Sequence, residues 1–274
     1  RMLAVSKSAC KTDSAGNILC SRYDARMTSQ ATTQNVIAVL LSAIESRDLR
    51  AIRNALHPSA TWQNVPHAPV HGRESVMALL ASIVCWSDKV QWDVVSVVIE
   101  NNVGWLERLD RFWMDGEEYS VACNGIFTID PATQTVLSVR DYVDLGEWRS
   151  RVGPVLAGFS RRSPDAVVQR HRAAVERLDP VTMAADYALN AVLERPGAYF
   201  ESYYAIADYF DSVPSRLAGR KLTFGPMEAI GSDRVKLSWR ISEGVVAAVS
   251  GEDTFQIVAG RIAHQVTTLS EGDF

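Results

Sequence analysis

The order of elements along this chain runs twice, and the second pass starts about 130 residues after the first. Laying Asp179 on Asp48 brings the two passes into step. Repeats of 20–50 residues stack into solenoids, whereas a unit of this length holds a core of its own. The 274 residues therefore divide into two copies of one domain. In the first copy Thr33 reads as a helix N-cap, and Val36, Ile37, Leu40, Leu41 and Ile44 follow at helical spacing. Leu49, Ile52 and Leu56 mark a second, short helix ending near His57-Pro58. Residues 61–65 are a short extended stretch, and Pro66, Pro69 and Gly72 make a loop. A third helix over 74–85 carries Val76, Met77, Leu80 and Ile83. Strands are expected at 91–100, 105–114, 118–129 and 135–145, joined by turns at Asn101-Asn102, Asp115-Gly116 and Asp130-Pro131.

Helices followed by a strand meander predict an α+β domain, with helices on one face of a curved antiparallel or mixed sheet. Such a sheet wraps into a cone with a pocket inside. The boundaries read as a poorly ordered extension at 1–31, a first domain at 32–150, a linker at 151–163 and a second domain at 164–274. The linker reading rests on Gly153-Pro154, Gly158-Phe159-Ser160 and Arg161-Arg162. In the second copy Ser163-Pro164 and Asp179-Pro180 start helices, 191–195 mirrors 61–65, and strands are expected at 221–230, 234–242, 245–258 and 261–269.

Lys and Arg total 28 against 32 Asp and Glu, a formal charge of −4. This argues against a nucleic-acid or membrane-surface partner. No apolar run approaches the ~20 residues of a membrane helix. Cys10, Cys20, Cys85 and Cys123 have no metal-ligand spacing, so no metal is expected. Cys85 and Cys123 sit in apolar stretches and read as buried free thiols of a reducing compartment, the cytoplasm. No glycine-rich phosphate loop or nucleophile elbow is present, and no cofactor is expected.

The strand over 105–114 is unusual. Alternation puts Leu106, Arg108, Asp110, Phe112 and Met114 on one face. A buried charge must be paired and hydrogen-bonded, or it costs several kcal/mol. Either this face is solvated, or a cavity holds Arg108 and Asp110 with a third partner. The last strand of the first copy supplies one: Leu137, Val139, Asp141, Val143 and Leu145 share a face, four apolar residues with one carboxylate. A structural ion pair produces the same pattern. The catalytic reading has Asp110 and Asp141 flanking Arg108 at the bottom of the pocket. Two like carboxylates in a low-dielectric site split their pKa values, so one is a base and the other an acid. Arg108 holds both with a planar fork. An acid facing a base across an apolar cavity suits the opening of a strained ether, with the Asn64 carboxamide fixing the attacking water.

Over roughly residues 33–148 the first copy resembles the limonene-1,2-epoxide hydrolase family. The resemblance lies in Trp62-Gln63-Asn64-Val65-Pro66, Gly72-Arg73-Glu74, Glu107-Arg108-Leu109-Asp110 and Arg140-Asp141-Tyr142-Val143-Asp144-Leu145. It implies that Asp141 activates water, Asp110 protonates the epoxide oxygen, Arg108 bridges them and Asn64 helps hold the water. It also implies a wall of Trp62, Leu106, Phe112, Val139, Val143 and Trp148. Trp62 stands where the family has a tyrosine, and an indole donates a hydrogen bond but accepts none. Val139 stands where the family usually has tryptophan, which enlarges the pocket. Residues 164–271 resemble a SnoaL-like domain of the nuclear-transport-factor-2-like (cystatin-like) fold, through 191–197, 205–210 and 260–264. There the triad is not repeated: Trp239-Arg240-Ile241 lies near the place of Arg108-Asp110, Gln265-Val266 near that of Asp141, and His264 and Asp186 are candidate pocket groups.

These readings imply an epoxide hydrolase acting on a small hydrophobic epoxide and water. The alternatives are an epoxide-opening cyclase of natural-product biosynthesis and a non-catalytic binding protein. The second half is expected to serve as a fused dimer partner, an intramolecular pseudo-dimer paired sheet to sheet, with a further homodimer open.

Overall fold

The computed structural model describes residues 20–243 and 246–271. The first half runs α1 (Cys20–Glu45), α2 (Leu49–Ala55), β1 (Leu56–Val65), β2 (Val70–His71), α3 (Arg73–Val84), β3 (Lys89–Glu100), β4 (Val103–Met114), β5 (Glu117–Asp130) and β6 (Thr135–Val143). Helix α4 (Leu145–Phe159) follows. The second half repeats the order as α5 (Pro164–Glu176), α6 (Pro180–Ala185), β7 (Tyr187–Arg195), β8 (Ala198–Glu201), α7 (Tyr203–Leu217), β9 (Lys221–Ala229), β10 (Arg234–Glu243), β11 (Val246–Val258) and β12 (Arg261–Glu271). Each half is one six-stranded mixed sheet with helices, in the orders β2-β1-β6-β5-β4-β3 and β8-β7-β12-β11-β10-β9. The chain is two tandem α+β cones of the nuclear-transport-factor-2-like kind.

The same local chemistry starts matching helices. Asp48 accepts from the backbone N–H of Arg50 at 2.9 Å and of Ala51 at 3.1 Å. Asp179 does the same for Thr182 at 3.2 Å. Between β4 and β5, Asp115 and Gly116 both take positive φ, 51° and 82°, the tight hairpin turn that an Asp-Gly pair favours. One parallel contact closes each cone. In the first, β1 lies beside β6 and sets Trp62 opposite Val139 and Asn64 opposite Asp141.

Three sequence expectations are corrected. Thr33 is no N-cap: α1 begins at Cys20 and runs through it, so residues 20–31 are helical rather than a loose extension. A hydroxyl survives mid-helix when it finds another partner, and buried Thr33 donates to the Asn101 carbonyl at 2.9 Å. Residues 1–19 lie outside the described part, as does Cys10. Strand β1 starts at Leu56, well before 61. The supposed linker is mostly helix α4. Asp144 caps it by accepting from the Glu147 N–H at 2.9 Å, and Trp148, Val152, Leu156 and Phe159 form an apolar stripe. Pro154 and three glycines lie within that helix; packing of the stripe outweighs their weak propensity.

The halves meet through helices and loops rather than through sheet faces. Arg50 on α2 reaches Asp208 and Asp211 on α7 at 2.7 and 2.5 Å. Arg47 donates to Thr182 at 3.0 Å. Arg170 and Arg261 donate to the carbonyls of Cys85 and Ala81 at the end of α3. Trp86 is the apolar centre of this contact, with the Phe159 ring 5.2 Å away and the Arg261 guanidinium 4.0 Å from its own ring. At Gly260, φ is +73° and a Cβ would lie 2.0 Å from the Phe159 carbonyl oxygen. Only glycine lets the β11–β12 turn seat against the end of α4.

Candidate active site

Strand β4 alternates as its sequence dictates: Leu106, Arg108, Asp110, Phe112 and Met114 are all buried. Arg108 has no side-chain exposure, while Asp110 and Asp141 keep 8% and 6%, enough to reach a cavity but not bulk solvent. The guanidinium lies between the two acids. Its Nε donates to Asp110 Oδ1 at 2.7 Å and one terminal nitrogen donates to Asp141 Oδ1 at 2.8 Å. That nitrogen also lies 3.3 Å from Cys123 Sγ. The Trp92 ring stacks on the guanidinium at 4.4 Å, a cation–π contact that helps hold the plane.

Space for this arrangement comes from β5. Gly125 pairs with Leu106 on one side and Asp141 on the other. A Cβ there would stand 2.2 Å from Arg108 Nη1 and 2.9 Å from Asp141 Oδ1. The guanidinium thus occupies the place a side chain would take. Arg108 Nη1 has no hydrogen-bond partner among the described residues.

The electrostatics separate Asp110 from an ordinary carboxylate. Burial pushes Asp110 up to about 6, against the pull of Arg108, and nearby Asp141 adds to the rise. Burial works against the charge on Arg108, but the two aspartates outweigh it and hold the guanidinium firmly protonated. Burial also drives the Cys123 thiol upward, with Asp141 adding to the rise, so it is no nucleophile.

The cavity above the two acids measures about 170 Å³. It suits a small apolar molecule with a few polar groups at its floor. Asn64, Trp62, Asp110, Phe112, Asp141, Val143 and Trp148 line it. Leu106 and Val139, also expected in the wall, do not. They lie in rows that hold wall residues but are themselves packed over, 3% and 1% exposed, as core. The spare room foreseen at Val139 is taken by packing: Val139 is flanked by Trp62 on β1 and Phe127 on β5. Sequence reading missed Leu79, Leu80, Ser82 and Ile83 on α3, Trp92, Val121 and Cys123 on the sheet, and Leu145 and Leu156 on α4. The signal for the α3 residues was present as an apolar stripe, but periodicity does not separate a core face from a cavity wall.

Trp62 takes a role of its own. Its indole N–H donates to Asp141 Oδ2 at 3.0 Å. Asp141 therefore has one oxygen on Arg108 and the other on an indole. In the second half His264 pairs with Glu194 at 2.8 Å, outside the cone's cavity. Asp186 is buried beside Arg170 at 3.3 Å and also lies outside it. Neither is a pocket group. Among the described residues no group of His, Cys, Asp and Glu has the geometry of a metal site.

This fold and floor define a cone-shaped small-molecule pocket with a carboxyl–guanidinium–carboxyl base. Residues 37–133 match the model of the SnoaL-like domain family. That match falls on the half whose motifs resemble the epoxide hydrolases, and not on residues 164–271, where the SnoaL-like resemblance was read. Solved structures similar to one half include a candidate SnoaL-like polyketide cyclase from Shewanella denitrificans OS-217, at 10% identity and TM-score 0.40, covering 44% of this chain and 97% of that one. An LEH-like epoxide hydrolase from M. tuberculosis is 17% identical at TM-score 0.39, over 44% and 89% of the two chains. A hypothetical protein with a ketosteroid isomerase-like fold from Catenulispora acidiphila is 14% identical at TM-score 0.38, over 43% and 92%.

Proposed function

We propose that the first cone is an epoxide hydrolase, adding water to a small hydrophobic epoxide to give a vicinal diol. The observation that carries this reading is Arg108 clamped between Asp110 and Asp141 beneath an apolar cavity. Asp110, lifted to about 6, is the group suited to hold a proton and deliver it to the epoxide oxygen. Asp141, accepting from both Arg108 and Trp62, is the carboxylate that takes a proton from water. Water attacks one epoxide carbon while its C–O bond breaks, so both transfers belong to one step. Afterwards Asp141 carries the proton taken from water and Asp110 lacks the one it gave to the epoxide oxygen, so one proton moving from Asp141 to Asp110 resets the site. Arg108 keeps the two acids at a fixed separation throughout. Asn64 lines the same cavity and supplies the carboxamide that steadies the water.

A second reading is an epoxide-opening cyclase, and the Trp62 bond to Asp141 Oδ2 favours it. An indole cannot accept from a water, so water loses one anchor at the base. A hydroxyl tethered within the substrate needs no such anchor. A panel of hydrophobic epoxides, with and without an internal hydroxyl, incubated in heavy-oxygen water separates the two. Label in a diol supports hydrolysis, and an unlabelled cyclic ether supports cyclisation. Consumption of no epoxide, with binding intact, removes both.

A further inference from the structure

The second cone has a cavity of about 70 Å³ with its own polar floor, built differently from the first. Strand pairing sets the correspondence. In the first cone one row across the sheet reads Leu106, Gly125, Asp141 and Asn64. In the second, Leu237 pairs with Asp253 and Asp253 with Thr267, so the row reads Leu237, Asp253, Thr267. Pairing Leu193 with Gln265 puts Arg195 at the end of that row. In the next row Arg108 and Cys123 become Trp239 and Gly251. The space-making glycine has moved too: a Cβ on Gly251 would stand 2.6 Å from the Trp239 ring. Each cone thus clears a place for one large polar side chain, a guanidinium in the first and an indole in the second.

The carboxyl has changed strands with it. Asp253 stands where the first cone has Gly125. It lies deep in the protein yet keeps part of its surface open, and it lines the cavity. Thr267 donates to it at 2.6 Å, and the polar groups of Gln265 and Trp239 face it from the neighbouring strands and help hold its charge. Gln265 is in turn fixed by the Tyr187 hydroxyl. Across the same cavity lies Arg195, buried and donating to the Tyr209 hydroxyl at 2.8 Å. Burial holds Asp253 up at about 6, with the hydrogen bonds and Arg195 pulling the other way. Among the described residues there is one carboxyl on this floor and none opposite it, so the acid–base pair of the first cone is not repeated there. The floor is equipped to bind.

We propose that the second cone is a second ligand site, for a compact, uncharged molecule bearing vicinal hydroxyls. Asp253 and Arg195 offer opposite signs across one small space. A hydroxyl donates to the former and accepts from the latter, and two adjacent hydroxyls engage both. A cation would meet Arg195, and an anion would meet Asp253, in a low-dielectric cavity where either repulsion is severe. Apolar walls from Met183, Phe210, Leu222 and Phe224 take the carbon skeleton. The inference rests on the second cone's own geometry, although the ligand class matches the product proposed for the first.

The test follows the indole N–H resonance of Trp239, assigned by its loss in Trp239→Phe, while 1,2-butanediol is added to the full chain. Butylammonium and butyrate are the charged comparison probes. The expected result is a saturable shift with the diol, weaker or none with either ion, and an affinity at least ten-fold lower in Asp253→Leu. Should Asp253→Leu fail to fold, Thr267→Val and Arg195→Met serve, each expected to weaken binding about three-fold or more. No shift with the diol, a preference for an ion, or unchanged affinity in the folded variants would overturn the proposal. Running the titration in Asp141→Asn as well keeps the outcome independent of the first cone's chemistry.

Discussion

Removing one hydrogen at Gly125 and adding a methyl tests how tightly the floor is built. In Gly125→Ala the new carbon would meet Arg108 Nη1 and Asp141 Oδ1 at once. The flexible side chain is the part that gives way, so the guanidinium leaves its plane between the acids. We expect the fold to survive and epoxide turnover to drop by about two orders of magnitude, mostly in kcat, since a shift near 1 Å costs that much. Circular dichroism alongside steady-state rates checks both halves of the expectation. The proton on Asp110 gives a second prediction. A general acid must be protonated to act, and Asp110 titrates near 6. Turnover should therefore fall as pH rises above about 6, by roughly ten-fold per unit at the steepest. A pH–rate profile flat from 5 to 8 would take the acid role away from Asp110.

At the scale of elements, α4 forms one wall of the pocket. Its Leu145, Trp148 and Leu156 form part of the cavity wall, and the Trp148 and Phe112 rings lie 5.3 Å apart. Their side chains are apolar, so in the proposed reaction they would pack on substrate carbon and not on the reacting oxygen. Trp148→Ala should raise KM several-fold, admit bulkier epoxides and leave kcat within about three-fold of wild type; a collapse of kcat instead would give Trp148 a chemical role. This helix is also where sequence reading was weakest. Glycines and a proline read as a loop, because propensity is local and the packing that overrides it is not. The strands were far more legible. Alternation along 105–114 put Arg108 and Asp110 on one buried face, and the lone carboxylate among apolar residues picked out Asp141. The residues that face the cavity were less so: Leu106 and Val139 share faces with true wall residues but are packed over, as core. The period of a strand gives the face and leaves the depth open. Depth depends on strand register, which here turns on the parallel β1–β6 pair.

Across the whole molecule the buried acids set the response to pH. Asp110, Asp186 and Asp253 are each held at about 6 by burial. Their folded values lie above the unfolded one near 3.9, so the native state binds more protons between those limits. They favour the fold at lower pH and lose that advantage as pH rises toward 6. His171, pushed down to about 4 by burial, has the opposite sign: the unfolded chain binds its proton first below about 6.5. Three groups against one leaves the acids ahead. The melting temperature should fall as pH goes from about 4.5 to 6.5 and then level off; a steady rise over that range would mean that the acids are ionised and fully paired. The duplication itself was legible from element order, and the two matching aspartate caps show why. The manner of association was not, since the arginines that join the halves are scattered over a loop, α2, the middle of α5 and the start of β12, and share no sequence period.

The central claim is that two carboxyls, fixed by one guanidinium, open an epoxide inside the first cone. The most direct measurement is epoxide consumption by purified Asp141→Asn, with binding of an unreactive analogue measured on the same sample. The account predicts that consumption falls at least a thousand-fold while the analogue still binds within a few-fold of wild type. Consumption at the wild-type rate would contradict it.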